Sequence, residues 1–373
     1  MNEFIHTFDV TRPFSEREHM DFSITYGSKY FYNSDKRKYV MSKYADNGMR
    51  IEVMKRKDKE RNYDPQHRKY KVRIIITPHK LLAPAKQMRK LTSRSEIEAA
   101  CKRLDSILYD IRTESGVDLW QNAKLRRIDV TKDVVTPSDL YSAEIIKASK
   151  KALCKCGYKV FEPQKIEDYN PEWPMEDSSL FYNHSQEVEA KIYNKLHDLD
   201  ETEQKEYDKH GLIRFELSLK RARLKKLYDI GDTLSLGELP GLLCRITDDG
   251  AMFLDKYIVQ ALHPGAMLSR SVLKKYLRSK YGGKKERVRK MLEYSAWVTK
   301  QPPEDHKAYG TESKIANRRS CFQALSLSPV YVSSKCPYIP SFSDLLNGTA
   351  DQKLRNFAWQ ATKSKCKELT YWH

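Results

Sequence analysis

Three separate segments alternate between apolar and chemically reactive side chains, and that period of two commits the chain to a sheet with two unlike faces. In "RIDV", Ile128 and Val130 point one way, Arg127 and Asp129 the other. In "EVEAKIYNK", Val188, Ala190 and Ile192 form the apolar row, and Lys191, Tyr193 and Lys195 oppose it. In "LIRFELSL", Ile213, Phe215, Leu217 and Leu219 face the core, leaving Arg214, Glu216 and Ser218 outside. If the three polar rows share one face, it carries two carboxylates, a phenol and several cations. Alternation alone equally describes an exposed face of ordinary ladder charge pairs.

The remaining segments surround these strands. Residues 1–20 read as an N-terminal arm, followed by strands in "MDFSITYGSKYF" and "KYVMSKYADNGMRIEVMKR", the latter with a hairpin turn at "DNG", 46–48. "KYKVRIIITPHKLLAP" predicts a strand closed by Pro78, because proline supplies no ladder donor. The charged stretch 54–70 reads as a loop. Ser93 and Glu96 form a capping box for a helix over about 93–112, with Ile97, Leu104, Ile107, Leu108 and Ile111 on one face. A second helix is expected from Thr136 to about Leu153, then strands in "YKVFE" and "SSLFYN". The stretch 198–210 reads as a loop or short helix. The expected fold class is α+β: a mainly antiparallel sheet with helices on one face, over 21–230, then a mostly helical region over 231–373.

A charge of +18 over 373 residues, from 68 Lys and Arg against 50 acidic groups, is most simply explained by a polyanionic partner. Hydrophobic residues at 40% supply a core and argue against a disordered chain. The seven cysteines are scattered, and the Cys154–Cys156 pair has no second pair at zinc spacing, so reduced thiols are expected. The first 20 residues are too charged for a signal peptide, and no stretch approaches the roughly 18 apolar residues of a membrane span. Cytoplasmic localisation and no membrane partner follow as expectations. No "GxxxxGK[ST]" occurs, so ATPase or helicase activity is not expected of this chain.

The reactive residue types suit phosphodiester transfer. Carboxylates offer hard oxygen ligands to a divalent ion, Mg²⁺ or Mn²⁺; that ion polarises the scissile phosphate. A tyrosine attacks phosphorus and stores the bond as phosphotyrosine, and lysine stabilises the developing charge.

The runs "RRIDVTKD", "SSLFYN", "AKIYNKLHDLD" and "IRFELSLKRARL", in that order, resemble the replication initiators of rolling-circle plasmids and filamentous phages, nearest the phage gene II-type family. "IIITPHKLLAP" is similar to the segment before the first helix of the phage proteins, so the resemblance spans roughly residues 20–225. It implies an enzyme that nicks one strand of origin DNA, single-stranded or locally melted, and becomes linked to the 5′ phosphate through tyrosine. Such an enzyme leaves a 3′ hydroxyl for a host polymerase, relies on a host helicase, and later rejoins the displaced strand.

Carried over, the resemblance places the nucleophile at Tyr193 and a phosphate contact at Lys195. Asp129, Glu216 and Asp198 become metal-side carboxylates; Arg127 and Arg214 grip DNA or support the carboxylates, and Lys191 is a further DNA contact. The related His-hydrophobe-His motif is absent, which selects the carboxylate branch. His197 or Asp198 would meet the ion, and His197 reads equally as an exposed loop histidine. Tyr182 and Tyr207 are rival nucleophiles. The alternatives are a noncatalytic nucleic-acid binder on the same scaffold, or a metal-dependent nuclease using water.

Beyond 230, residues 270–290 hold ten Lys or Arg and one Glu. Lys274, Lys275, Arg278, Lys284 and Lys285 are the candidate phosphate contacts there. "ESKIANRRSCFQALSLSP" reads as a short helical module, with a helix-turn-helix as one way to use it.

Overall fold

A computed structural model describes residues 4–34, 37–55, 70–83, 91, 93–152, 159–160, 179–185, 187–199, 201–207, 209–301 and 303–362; over 159–160, 179–185 and 303–304 it describes the backbone alone. The loop expected at 54–70 lies mostly outside these residues, as do Cys154 and Cys156.

The chain builds a ten-stranded sheet in the order β2-β3-β4-β5-β1-β6-β10-β9-β8-β7, every neighbouring pair antiparallel. The strands are β1 (Phe4–Phe14), β2 (Tyr30–Asn33), β3 (Lys38–Met41), β4 (Met49–Lys55), β5 (Tyr70–Ile76), β6 (Lys124–Thr136), β7 (Lys159–Val160), β8 (Ser179–Ser185), β9 (Val188–Asn194) and β10 (Gly211–Lys220). Helices α1 (Glu16–Tyr26), α2 (Pro78–Leu82), α3 (Arg94–Ser115), α4 (Asp139–Ala152) and α5 (Glu201–Tyr207) are interspersed. The result is an α+β domain with a large antiparallel sheet flanked by helices, followed by a mainly helical region.

Two expectations fail at the start of the chain. The arm expected over 1–20 contains β1, which lies between β5 and β6 in the middle of the sheet. Its apolar residues Phe4, Ile5, Phe8, Val10 and Phe14 are buried, but His6 is an extra residue between the pairs Ile5–Val130 and Thr7–Asp129, and that bulge breaks the alternation. A period-two pattern is not legible across such bulges. "MDFSITYGSKYF", expected as a strand, mostly belongs to α1, where Ser15 and Glu18 form a capping box and His19, Phe22 and Tyr26 are buried. Its aromatic content imitates a strand, while its buried residues recur at three- and four-residue steps.

Elsewhere the local signals operate as expected. Ser93 and Glu96 cap α3, and all five expected apolar residues are buried. Pro78 stands after β5 and opens α2. The 46–48 turn joins β3 to β4 through Gly48, whose φ of +78° favours glycine; a Cβ there would meet the Thr77 carbonyl oxygen at 2.7 Å. The second helix begins at Asp139, because Thr136 still belongs to β6.

The helical region contains α6 (Arg221–Tyr228), α7 (Leu239–Asp248), α8 (Gly250–Tyr257), α9 (Arg270–Tyr281), α10 (Lys285–Lys300), α11 (Glu312–Gln323), α12 (Phe342–Asn347) and α13 (Gln352–Ala361), with a two-stranded pairing of β11 (Met267–Leu268) and β12 (Tyr338–Ile339). Helix α7 packs on β1 and α8 on β10, and one buried apolar cluster runs from the sheet into these helices. The change near residue 230 is therefore one of element type, with packing continuous across it. No helix among the described residues is long and apolar enough to cross a membrane.

Candidate functional site

Cross-strand register brings the three polar rows onto one face. Ser218 pairs with Asp129, and Arg214 with both Asp133 and Tyr193. Glu216 pairs with Lys191. On the other side of β6, Thr7 pairs with Asp129 and Asp9 with Arg127. The bulge in β1 puts His6 beside Thr7, and both line a cavity of about 440 Å³ together with Arg127, Asp129 and Glu216. Bulges re-aim side chains in this way.

At the β9–β10 side, the Tyr193 hydroxyl donates to Glu216 Oε2 at 3.0 Å, and Lys191 Nζ donates to Oε1 at 2.6 Å. Burial raises the Glu216 carboxyl, but the charge and hydrogen bond of Lys191, the charge of Arg214 and the Tyr193 hydrogen bond outweigh it, so the group titrates below its ordinary value. Tyr193 moves the opposite way. Burial, then the Glu216 charge, hold its phenol well above the ordinary value despite Arg214. The arrangement is a protonated phenol whose proton already points at an ionised carboxylate. Attack by Tyr193 therefore requires proton transfer as the new bond forms.

Asp129 is held from both strands beside it. Ser218 Oγ donates to Oδ1 at 2.6 Å; Thr7 Oγ1 donates to Oδ2, which also pairs with Arg127 Nη2 at 3.1 Å. Burial and repulsion from Glu216 raise its carboxyl, with Arg127 and Lys191 opposing.

The other expected residues divide. Arg127 lines the cavity, and Lys191 neighbours it through Glu216. Arg214 does not reach solvent: its side chain is 2% exposed. Its Nε and Nη2 donate to Asp133 at 2.6 and 2.9 Å, Nη1 lies 3.2 Å from His6 Nδ1, and the guanidinium stacks over Phe4. It braces the sheet through Asp133 rather than offering donors to DNA, and breaking such a buried pair typically costs about 3–5 kcal/mol. Lys195 is on the same face, titrating below its ordinary value through burial and the Arg214 charge, and it pairs with Asp198 at 3.2 Å.

Asp198 does not join Asp129 and Glu216. Its side chain is 53% exposed in a short 3₁₀ turn and is directed at Lys195. His197 faces Asp139 at 3.5 Å at the start of α4. Tyr207 borders the Asp133–Arg214 end of the face, its phenol raised by burial and Asp133. Tyr182 pairs in register with Ala190, and its side chain lies outside the described residues.

The donor set decides what the face can hold. All four carboxylate oxygens of Asp129 and Glu216 already accept from a hydroxyl or a cation. No group of three His, Cys, Asp or Glu suited to a metal ion occurs among the described residues. Mg²⁺ or Mn²⁺ would have to displace Arg127 and Lys191 from their carboxylates, so the residues as arranged do not fit a divalent ion. The expected ligand set of Asp129, Glu216 and Asp198 is not assembled.

Several residues of the face escaped the sequence reading: His6, Thr7 and Asp9 of β1, Arg50 and Glu52 of β4, Arg73 of β5 and Lys80 of α2. A usable signal existed for some. Asp9, Glu52, Arg73, Asp129 and Glu216 each stand as one charge between two buried apolar neighbours, on five successive strands of the sheet.

The five candidate phosphate contacts within 270–290 are all exposed, on α9, at the N-cap of α10 and in its first turn. Leu273 and Leu277 anchor α9 beneath them. Lys275 Nζ donates to the Ala361 carbonyl at 2.7 Å. The module expected at 312–329 contains α11.

No family model matches the chain, and no curated protein matches it. Among solved structures, Methanococcus jannaschii TBP is similar over 66% of this chain and 99% of its own length, at 12% identity and a TM-score of 0.26. A likeness that weak carries no argument about this chain.

Proposed function

We propose that the chain is a DNA-nicking and rejoining enzyme that starts rolling-circle replication through a phosphotyrosine at Tyr193. The observation that carries this reading is the Tyr193 hydroxyl donating to Glu216, itself held ionised by Lys191, beside a cavity walled by cations. The antiparallel sheet with one reactive face suits the resemblance to replication initiators, and the net charge of +18 suits an origin-DNA partner.

In the cleavage step, Tyr193 Oη attacks the phosphorus and its proton passes to Glu216. The bond from phosphorus to the 3′ oxygen breaks, and that oxygen leaves as a hydroxyl after the proton returns from Glu216 through solvent. Glu216 is a weak base, so the proton moves with formation of the O–P bond rather than before it. Arg127 and Lys191 face the phosphate and offset its charge. Rejoining runs the same path backwards. The enzyme works in the cytoplasm beside a host helicase and polymerase, with α9 and α10 holding DNA outside the cleft.

The test incubates full-length protein with single-stranded origin DNA in buffer containing Mg²⁺ and Mn²⁺, then denatures it. Wild type is expected to yield a protein–DNA adduct and Tyr193→Phe none. An adduct that survives the substitution moves the nucleophile to Tyr207 or Tyr182. Cleavage without an adduct points to a water-using nuclease, and binding without cleavage to a noncatalytic scaffold.

A further inference from the structure

Four buried carboxylates run across the reactive face: Glu52 on β4, Asp9 on β1, Asp129 on β6 and Glu216 on β10, each 4% exposed or less. Cations lie over them and reach further out. Arg50 meets Glu52 at 3.1 Å, with its side chain 52% exposed. Arg73 meets Asp9 at 2.5 Å at 20% exposed, and Arg126 meets Asp9 at 3.2 Å at 49%. Arg127 meets Asp129 at 3.1 Å at 24%. The charges are thus sorted by depth, with acid below and base above. A carboxylate beneath a guanidinium fixes its position and uses only part of its donor fork, leaving the remaining N–H groups for an outside acceptor.

The cavity is built over this layer. Arg50, Arg73, Lys80 and Arg127 line it, and Lys80 enters from α2 on the far side of the Gly48 turn. From β4 to β10 the row crosses four interstrand steps, about 19 Å at the usual sheet spacing. Its two ends differ: Tyr193 and Glu216 stand at the β10 end, and Arg50 and Lys80 at the other.

We infer that this layer is a track for the phosphodiester backbone of a single nucleic-acid strand, running from Tyr193 across β6, β1 and β5 to Arg50 and Lys80, with Glu52 and Asp9 as positioning residues. The inference rests on the proposed nicking reaction for its direction and goes beyond it in naming the path. A lone strand is the occupant because the heads of Arg73 and Arg127 are recessed in the cavity. A flexible backbone reaches them; a rigid duplex stays above the rim.

The experiment uses the full-length chain carrying Tyr193→Phe, which prevents cleavage, and a fluorescent single-stranded origin oligonucleotide titrated over a range of salt. Adding Arg50→Gln and Lys80→Gln is expected to weaken binding about tenfold or more, and to lower the slope of log affinity against log salt by about 1.4, near 0.7 for each lost phosphate contact. Lys102→Gln with Arg103→Gln, exposed on α3 and outside the cavity lining, is expected to leave the slope nearly unchanged. If the double variant unfolds at a lower temperature, Lys80→Gln alone replaces it, with an expected drop of about 0.7. Affinity and slope equal to the parent overturn the track. An equal loss on duplex DNA overturns the single-strand occupant. The adduct assay is independent: no adduct in wild type with the slope lowered removes the nicking reaction and leaves the track, and the reverse result removes the track alone.

Discussion

The reactive sheet face and the basic helix pair α9–α10 both concentrate cations, but they hold them in opposite ways. On the sheet, Lys191, Arg127 and Arg73 are recessed and each is fixed by a buried carboxylate on a neighbouring strand or its own. On the helices, Lys274, Arg278, Lys284 and Lys285 are exposed at the ends of long side chains. Fixed charge is useful where a phosphate must be placed to within a fraction of an ångström of a nucleophile. Mobile, exposed charge attracts a polyanion from a distance and tolerates any register. Under the proposed function, the difference would give chemistry to the sheet and first capture to the helices.

The sharpest way to break that division is to remove the proton acceptor. Glu216→Gln is expected to slow adduct formation at saturating DNA by about 10²- to 10⁴-fold, the range for a general base. Its effect on affinity is expected to be small, because the cations of α9–α10 and of the Arg50–Lys80 end of the cavity are untouched; stopped-time gels and anisotropy measure the two separately. A variant as fast as wild type would mean that Glu216 is only a structural partner of Lys191.

That pairing also shows what was legible in the sequence. The shared face of Lys191, Tyr193, Glu216 and Asp129 is legible because "RIDV", "EVEAKIYNK" and "IRFELSL" each alternate locally, while the choice of Tyr193 within that face comes from the resemblance. His6, Thr7 and Asp9 are not legible because the bulge at His6 breaks the alternation of β1 at the point that faces Asp129. Glu52 and Arg73 lay in correctly read strands, yet their common face with Asp129 depends on β1 standing between β5 and β6, a long-range pairing with no local signal. Burial was the other hidden quantity. Alternation gives Arg214 and Arg127 the same outward place, and only the Asp133 carboxylate and the Phe4 ring show that Arg214 is sealed in.

Acid should separate the two regions next. His79, stacked on His6 at 5.7 Å, is held down to about 4 from 6.5, first by burial and then by the charges of Arg214, Lys80 and Lys195. A depressed histidine favours the fold while neutral, so its contribution is full above about pH 6.5 and is lost as pH falls through about 4. Removing it with His79→Gln is expected to shrink the stability lost over that window by about 3 kcal/mol, read by urea unfolding at several pH values. An unchanged pH dependence would show that the imidazole is not sequestered beside the reactive face.

The smallest effects should come from the helices taken singly. Glutamine at Lys274, Arg278, Lys284 or Lys285 is expected to lower the salt slope of single-strand binding by at most about 0.7 each, with no change in the adduct rate at saturation. A single one of these substitutions that stopped the reaction would erase the division between capture and chemistry.

The central claim is that Tyr193 is the residue that joins the DNA. It is tested most directly by digesting the wild-type adduct with protease and nuclease and sequencing the modified peptide by mass spectrometry. The account predicts a residual nucleotide on the phenolic oxygen of Tyr193, in the peptide that continues into "NKLHDLD". The same mass on Tyr207 or Tyr182, with Tyr193 unmodified, would contradict it.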